Sequence, residues 1–136
     1  MKGNQSELRE AVIGGVRESE VVAEKLSVKV GDYAKALRGV PSRELFDEIT
    51  VTIGDLQSLL EAVSGINTAL TQMGQDTGHL KCWEKASEIF KAMVAAFERQ
   101  DWLALADIMQ YELKPLITEG KAGFKYIGAG LDGYNA

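Results

Sequence analysis

The residues of this chain that could bind a metal or act as a nucleophile are few. Its single histidine and single cysteine, His79 and Cys82, lie at positions i and i+3, so both would face the same way on a helix. A structural zinc site needs four ligands, and a cysteine nucleophile needs a base, an orienting group and an oxyanion site. We therefore interpret His79 as a loop or first-turn residue and Cys82 as a small packing residue. A Cys82–His79 nucleophile–base pair is the alternative.

Three acidic residues cluster near the start of the longest predicted helix. They are Glu44, Asp47 and Glu48. Carboxylates in the first turns of a helix interact favourably with its dipole, which is a sufficient structural reason for them. A di-iron bundle would need Glu-x-x-His pairs on facing helices, and a chain with one histidine does not supply them. No metal and no cofactor is predicted.

A second polar group belongs to the last predicted helix. Asp101 is a good N-cap for it, and Asp107 and Glu112 flank its apolar stripe. Glu112 follows Tyr111 and precedes Pro115, which should bend or end the helix near Tyr111. We expect these four polar residues to have structural roles. Glu112 in particular is interpreted as a solvated residue, and a partly buried carboxylate that bonds the backbone group freed by the proline is the alternative.

The last sixteen residues differ from the rest of the chain. Residues 121–136 contain four glycines together with several apolar side chains, so they match neither a regular helix nor a disordered segment. They are not a phosphate-binding loop, which needs a preceding strand and a following helix. We predict a C-terminal tail that folds back over the bundle or docks on another molecule. The candidate partner-binding residues are three methionines, of the type that lines adaptable grooves, and three tail residues: Met73, Met93, Met109, Phe124, Tyr126 and Ile127.

Apolar residues recur every three or four positions through most of the remaining chain, which predicts an all-α fold. The domain is residues 1–120, a bundle of four main, mostly antiparallel helices. Residues 1–16 are interpreted as a short helix or frayed arm that breaks at Gly14–Gly15. The predicted helices cover 17–38, 42–73, 80–98 and 102–119.

The second of these helices is the longest, and its stripe runs from Leu45 to Met73. We expect the other helices to pack on it. Ser42 can cap its first turn, and Gly54 and Ser64–Gly65 are the places where it would bend. A stripe that overhangs the bundle must be covered, so this helix either bends or forms a dimer.

The formal net charge is −5, and the sequence contains no run of lysine and arginine. This argues against the concentrated basic surface that nucleic acids and anionic lipids require. The first nine residues lack the layout of a signal peptide, and no apolar run approaches the length of about 20 residues needed to span a bilayer. We expect a cytoplasmic protein that binds neither nucleic acid nor membranes.

Two stretches carry a resemblance. Residues 96–117 read AFERQDWLALADIMQYELKPLI, and Gly54-Asp55-Leu56-Gln57 lies on the long helix. Together they resemble a group of uncharacterised bacterial helical proteins with a Gly-Leu-Gln-Trp-like stretch and a later Asp-x-x-x-Leu-Ala-Asp-x-Leu-x-Tyr-Glu-x-x-Pro-Leu stretch. This chain departs from them at Ser58, where they have tryptophan, and at Met109, where they have leucine. The resemblance covers about half of the chain and implies a fold but no activity.

The architecture is also similar to that of flagellar export chaperones, small helical proteins that shield an apolar helix of a client. This likeness and the lack of a catalytic constellation favour a non-enzymatic interaction module, an adaptor or chaperone-like protein that shields an apolar helix or tail of a partner. One alternative is a self-assembling structural protein that dimerises through the long helix. The other is an enzyme or small-ligand binder with a site between helices, built from Glu112, Tyr111 and His79.

Overall fold

The computed structural model describes the backbone of residues 2–134 and the side chains of residues 6–132. Every regular element in this range is helical, so the predicted all-α bundle is confirmed. The 3-10 segment leads directly into α3, and the last three elements are also continuous, which leaves four helical rods in the described chain. The elements are α1 (Lys2–Leu37), α2 (Arg43–Gln72), a 3-10 segment (Gly78–Lys85), α3 (Ala86–Glu98), α4 (Trp102–Ile108), a π turn (Met109–Leu113) and α5 (Lys114–Tyr134).

Helix α1 is one uninterrupted helix, so the predicted break at Gly14–Gly15 is wrong. Each glycine lowers helix stability by about 1 kcal/mol relative to alanine. The neighbouring Val12 and Val16 are buried in the core and hold the helix on both sides of the pair. Packing of an amphipathic face therefore outweighs the local preference.

The centre of the bundle is α1 and not α2. Helix α1 contacts α2 on one side and α4, the π turn and α5 on the other, whereas α2 packs mainly on α1. The expectation that the other helices pack on the stripe of α2 was therefore wrong. The completely buried residues of α1 include Val16, Ala23, Val30 and Ala34.

Polar side chains fix α1 against the rod formed by α4, the π turn and α5. Rising residue numbers on α1 meet falling numbers on the rod, so the two run antiparallel. The pairs are Arg17–Asp132, Glu24–Lys121 at 2.6 Å, Ser27–Thr118 at 3.4 Å and Arg38–Asp107 at 2.7 Å. Exposed ion pairs contribute little energy each, and their main effect here is to define the register.

Helix α2 is continuous and shows no break at Gly54 or Gly65. The Ser42 hydroxyl accepts a hydrogen bond from the Leu45 N–H at 3.1 Å, which confirms the predicted cap. Its buried stripe follows the predicted period, but it includes Thr52, whose hydroxyl lies 2.9 Å from the Tyr33 hydroxyl of α1. This buried hydrogen bond sets the register of α2 on α1.

Pro115 does not end the last helix. The chain forms a π turn immediately before it, with the Lys114 N–H bonded to the Met109 carbonyl, and then continues as α5. A proline ring clashes with the carbonyl four residues earlier and lacks an N–H donor. We attribute the wide turn to this constraint, which it relieves without breaking the rod.

The predicted tail is the second half of α5, which extends to Tyr134. Phe124 is completely buried, and Ile127 and Leu131 are buried with it in the same core as Val12 and Val16. The glycines did not prevent helix formation because this face packs closely against its neighbours. Residues 135 and 136 lie outside the described residues. Within the described part of the chain, no helix is long and apolar enough to cross a membrane.

Two neighbouring residues of this segment test its role. Phe124→Ala should lower the free energy of unfolding by about 3–5 kcal/mol, because it leaves a cavity in the core. Tyr126→Ala, at a side chain that is 69% exposed, should lower it by less than about 1 kcal/mol. Urea unfolding followed by circular dichroism measures both. Equal effects would show that residues 121–134 do not belong to the folded core.

Candidate functional site

One seam of the four-rod bundle is open. Helix α1 packs on α2 and on the last rod, and α3 packs on α4, but α2 and α3 lack comparable backbone contact. Between them lies a groove of about 1150 Å³. It extends from the loop at Asp76 to Glu98 at the end of α3. We refer to it as the α2–α3 groove.

The groove has an apolar floor and polar edges. Leu60 and Val63 of α2 face Leu80, Trp83 and Phe90 across it. The edge formed by α2 is polar but uncharged, with Gln57, Ser64 and Asn67. The opposite edge is charged, with Lys81, Glu84, Lys91 and Glu98. An apolar cleft with a polar border is typical of a site that accepts the apolar face of a helix.

Contacts within the chain mark the two ends of the groove. At one end, Phe46 of α2 lies 4.7 Å from Trp102 and 5.9 Å from Phe97, measured between ring centroids. At the other end, the Asp76 carboxylate accepts a hydrogen bond from the Gly78 N–H at 2.8 Å and fixes the start of the 3-10 segment. The helix α3 between these ends is about 20 Å long at 1.5 Å per residue. The groove therefore matches about three to four turns of a helix.

The floor is fixed by close contact between the 3-10 segment and α5. The Trp83 ring stacks on Phe124, with 5.6 Å between ring centroids. A methyl group at Gly120 would overlap the Trp83 ring, and one at Gly123 would overlap the His79 carbonyl oxygen. These two glycines are thus the positions where α5 lets the 3-10 segment approach closely, through the Trp83 ring at Gly120 and the His79 backbone at Gly123. The Trp83 indole N–H is buried and has no hydrogen-bond partner among the described residues.

The predicted partner-binding residues lie mostly in the interior. Met93, Met109, Phe124 and Ile127 are all buried in the core of this chain. They therefore stabilise the bundle and do not form a surface for a partner. Met73 is half-buried at the end of α2, and Tyr126 is exposed and packs on His79 with 4.6 Å between ring centroids.

Of the predicted structural polar residues, two make hydrogen bonds in the structure and two are exposed. The Asp101 carboxylate accepts a hydrogen bond from the Ala104 N–H at 3.1 Å, which confirms its role as an N-cap. Asp107 accepts one from Arg38 at 2.7 Å and ties the end of α1 to α4. Tyr111 and Glu112 are exposed on the π turn. The solvated Glu112 is confirmed, and the alternative of a partly buried carboxylate is wrong because the π turn and not a side chain accommodates the proline.

His79 and Cys82 line a separate, smaller depression between the 3-10 segment and α5, together with Glu119 and Tyr126. Burial raises the pKa of the Cys82 thiol, and the Glu119 carboxylate raises it further. A nucleophilic cysteine needs the opposite shift. His79 contacts Tyr126, which lies about 22 Å along the rod from Tyr111 at 1.5 Å per residue. The fold therefore does not bring His79 together with Tyr111 and Glu112. Within the described residues, no group of three or more His, Cys, Asp and Glu is placed to hold a metal.

The α2–α3 groove was not predicted from the sequence. The spacing of the large apolar residues on α3 would place Phe90, Val94 and Phe97 on its core face, but the buried face is formed by Ala86, Ile89, Met93 and Ala96. The sequence does contain a feature that indicates the groove, since α3 carries two parallel apolar stripes, one of small and medium residues and one of large residues. A helix that buries only one face needs only one such stripe.

A comparison with protein families gives a match to a domain of unknown function named DUF8042, over residues 42–122. The match covers more than half of the chain. This protein belongs to the DUF8042 family. All residues that line the α2–α3 groove lie within the DUF8042 segment, and α1 precedes it. Neither curated proteins nor solved structures gave a match to the chain.

The contact between Trp83 and Gly120 can be tested with alanine substitutions on one helix. Gly120→Ala should lower the free energy of unfolding by about 1–3 kcal/mol, because the added methyl group overlaps the indole ring. Gly130→Ala, where no atom lies within 4 Å of the added methyl group, should raise it by about 0.5–1 kcal/mol. Denaturant unfolding monitored by tryptophan fluorescence gives both values. A stabilising Gly120→Ala would contradict the close approach.

The raised pKa of the Cys82 thiol predicts slow alkylation. Below the pKa the thiol is protonated and unreactive, so the rate with iodoacetamide should rise with pH at a higher midpoint in the native protein than in urea. Glu119→Gln removes one cause of the shift and should lower the native midpoint, whereas Glu88→Gln in the same depression should not. Mass spectrometry of the alkylated fraction between about pH 7 and pH 10 measures this. A native midpoint at or below the unfolded one would contradict the assignment.

Proposed function

We propose that this protein is a non-enzymatic protein-interaction module whose α2–α3 groove holds the apolar face of a helix from a partner protein. The observation that carries the proposal is the open seam between α2 and α3. A bundle of this size can close all of its seams with side chains of its own, as α1 does with α2 and α5. Here large apolar residues border a groove that no element of the described chain fills.

The shape and polarity of the groove support a helix as the occupant. Its length corresponds to three or four helical turns, and an amphipathic helix presents apolar residues at i, i+3, i+4 and i+7 along such a length. The phenyl ring of Phe90 and the side chains of Leu60 and Val94 offer apolar contacts along the groove. The mixed charges of one edge suit the polar flank of such a helix.

This role is adaptor-like or chaperone-like in the sense that the protein would shield an apolar segment of its partner. The similarity in architecture to flagellar export chaperones supports the same role by analogy only. We place the protein in the cytoplasm as part of this proposal. The enzyme alternative receives less support, because its three candidate residues lie on two separate parts of the surface and because burial raises the pKa of the Cys82 thiol.

Site-specific photo-cross-linking in the native host tests the proposal. A benzophenone amino acid replaces Ser87, which is exposed and lines the groove. The matched control replaces Ser58, which is exposed on the side of α2 that faces α1. We expect Ser87, and not Ser58, to cross-link to a segment with helical apolar periodicity.

A peptide of the cross-linked segment then allows the affinity to be measured. Val94→Glu introduces a charge at a groove residue that is 57% exposed, and Val51→Glu does so at a control residue on α2 that is 65% exposed. Val94→Glu should weaken binding by roughly tenfold or more, since a charge opposite an apolar face must be desolvated. Val51→Glu should leave it unchanged. The proposal fails if Ser87 gives no more cross-linking than Ser58, or if both variants bind the peptide equally.

A further inference from the structure

Helix α3 carries an apolar stripe of its own beside the groove. Phe90 and Val94 line the groove, and Phe97 continues the stripe at i, i+4 and i+7. Val94 is 57% exposed and Phe97 is 50% exposed, whereas the other face of α3 is buried in the core. Each copy of the chain therefore presents an apolar groove and, directly beside it, the apolar face of a helix.

The order of charges along this edge is complementary to the same order read in the opposite direction. From the 3-10 segment to the end of α3, the groove is bordered by Lys81, Glu84, Lys91 and Glu98, in the order positive, negative, positive, negative. An antiparallel copy presents the order negative, positive, negative, positive. Lys81 then faces Glu98 of the other copy, and Glu84 faces Lys91. The opposite edge of the groove is uncharged, so it does not oppose this pairing.

The two pairs agree on one register. The midpoint of Lys81 and Glu98 and the midpoint of Glu84 and Lys91 differ by two residues, or about 3 Å along a helix. Lysine and glutamate side chains are long and flexible enough to absorb this difference. A two-fold axis near the middle of this edge would therefore satisfy both pairs at once, as a symmetric dimer requires.

We infer that in the free protein the α2–α3 groove is covered by α3 of a second copy, packed antiparallel across a two-fold axis. The inference rests on the proposed function, because it names what covers the same groove before a partner helix arrives. Phe90 and Val94 of each copy then lie over the groove of the other. Self-association and partner binding exclude each other, so the dimer regulates access to the groove.

Sedimentation velocity of the full chain tests this with a charge exchange. We expect the wild-type protein to convert from monomer to dimer between about 1 µM and about 500 µM. Glu84→Lys and Lys91→Glu each place like charges opposite one another twice in the symmetric dimer. Each single variant should raise the dimer dissociation constant by roughly tenfold or more.

The decisive sample is an equimolar mixture of the two single variants. In the mixed dimer, the lysine introduced at position 84 of one chain faces the glutamate introduced at position 91 of the other. The native Glu84 and Lys91 of the two chains face each other as before, so association should return. The double variant E84K/K91E should also self-associate. Recovery in the mixture shows in addition that the single variants are folded. Lys25→Glu, on α1 away from this groove, is the matched control for charge and should behave as wild type.

Two results overturn the inference. One is a wild-type protein that remains a monomer over the whole concentration range. The other is a dimer that both single variants form as well as wild type does, which would place the contact elsewhere. Neither result affects the proposed function, which depends on cross-linking from Ser87 to a different protein. A chain that cross-links from Ser87 only to a copy of itself would support the dimer and contradict the partner helix.

Discussion

The close approach of the 3-10 segment to α5 is the constraint on which the candidate site depends. The Trp83 ring occupies the space that a side chain at Gly120 would take, and the His79 backbone does the same at Gly123. This contact fixes where the 3-10 segment lies, and the segment leads directly into α3. Helix α3 is therefore held through the 3-10 segment, which packs on α5, and by its own contacts with α4 and the π turn, and not by α2. The α2–α3 groove is the space left by this attachment.

The unfavourable and favourable contributions to the stability of this arrangement come from different parts of the chain. Glycine in a helix loses more conformational entropy on folding than any other residue. In α5 that loss is offset by the burial of Trp83, Phe124 and Leu80 around the same contact. On the far side of the groove, α2 is stabilised independently by its long contact with α1. The two walls of the groove are thus supported by separate parts of the core, and closing the groove is not required for the stability of either wall.

The sequence predicted the elements that depend on local rules and missed those that depend on tertiary contact. The caps at Ser42 and Asp101 and the length of α2 were predictable, because capping chemistry and apolar period are local properties. The break at Gly14–Gly15 was wrong although a methyl group at either glycine would meet nothing within 4 Å, because buried valines on both sides of the pair hold the helix in the core. The interpretation of residues 121–136 as a tail that matches no regular helix was wrong up to Tyr134, because the buried face of this segment packs against neighbouring elements. Local glycine content indicates a weak helix, and no local pattern shows the tertiary contact that stabilises it.

The π turn before Pro115 also has a consequence for the angular phase of the last rod. Leu105, Met109, Leu113 and Ile117 are all buried, at three successive steps of four residues. In a uniform α-helix each step of four turns the position by about 40° beyond a full circle, so three steps would rotate the face by about 120°. The wider turn cancels this rotation and returns the buried face to α1. The segment thus carries one residue more than an α-helix would need, and that residue sets the rotation of α5 that brings Gly120 beneath Trp83. The phase of this one turn therefore determines whether the groove has a floor.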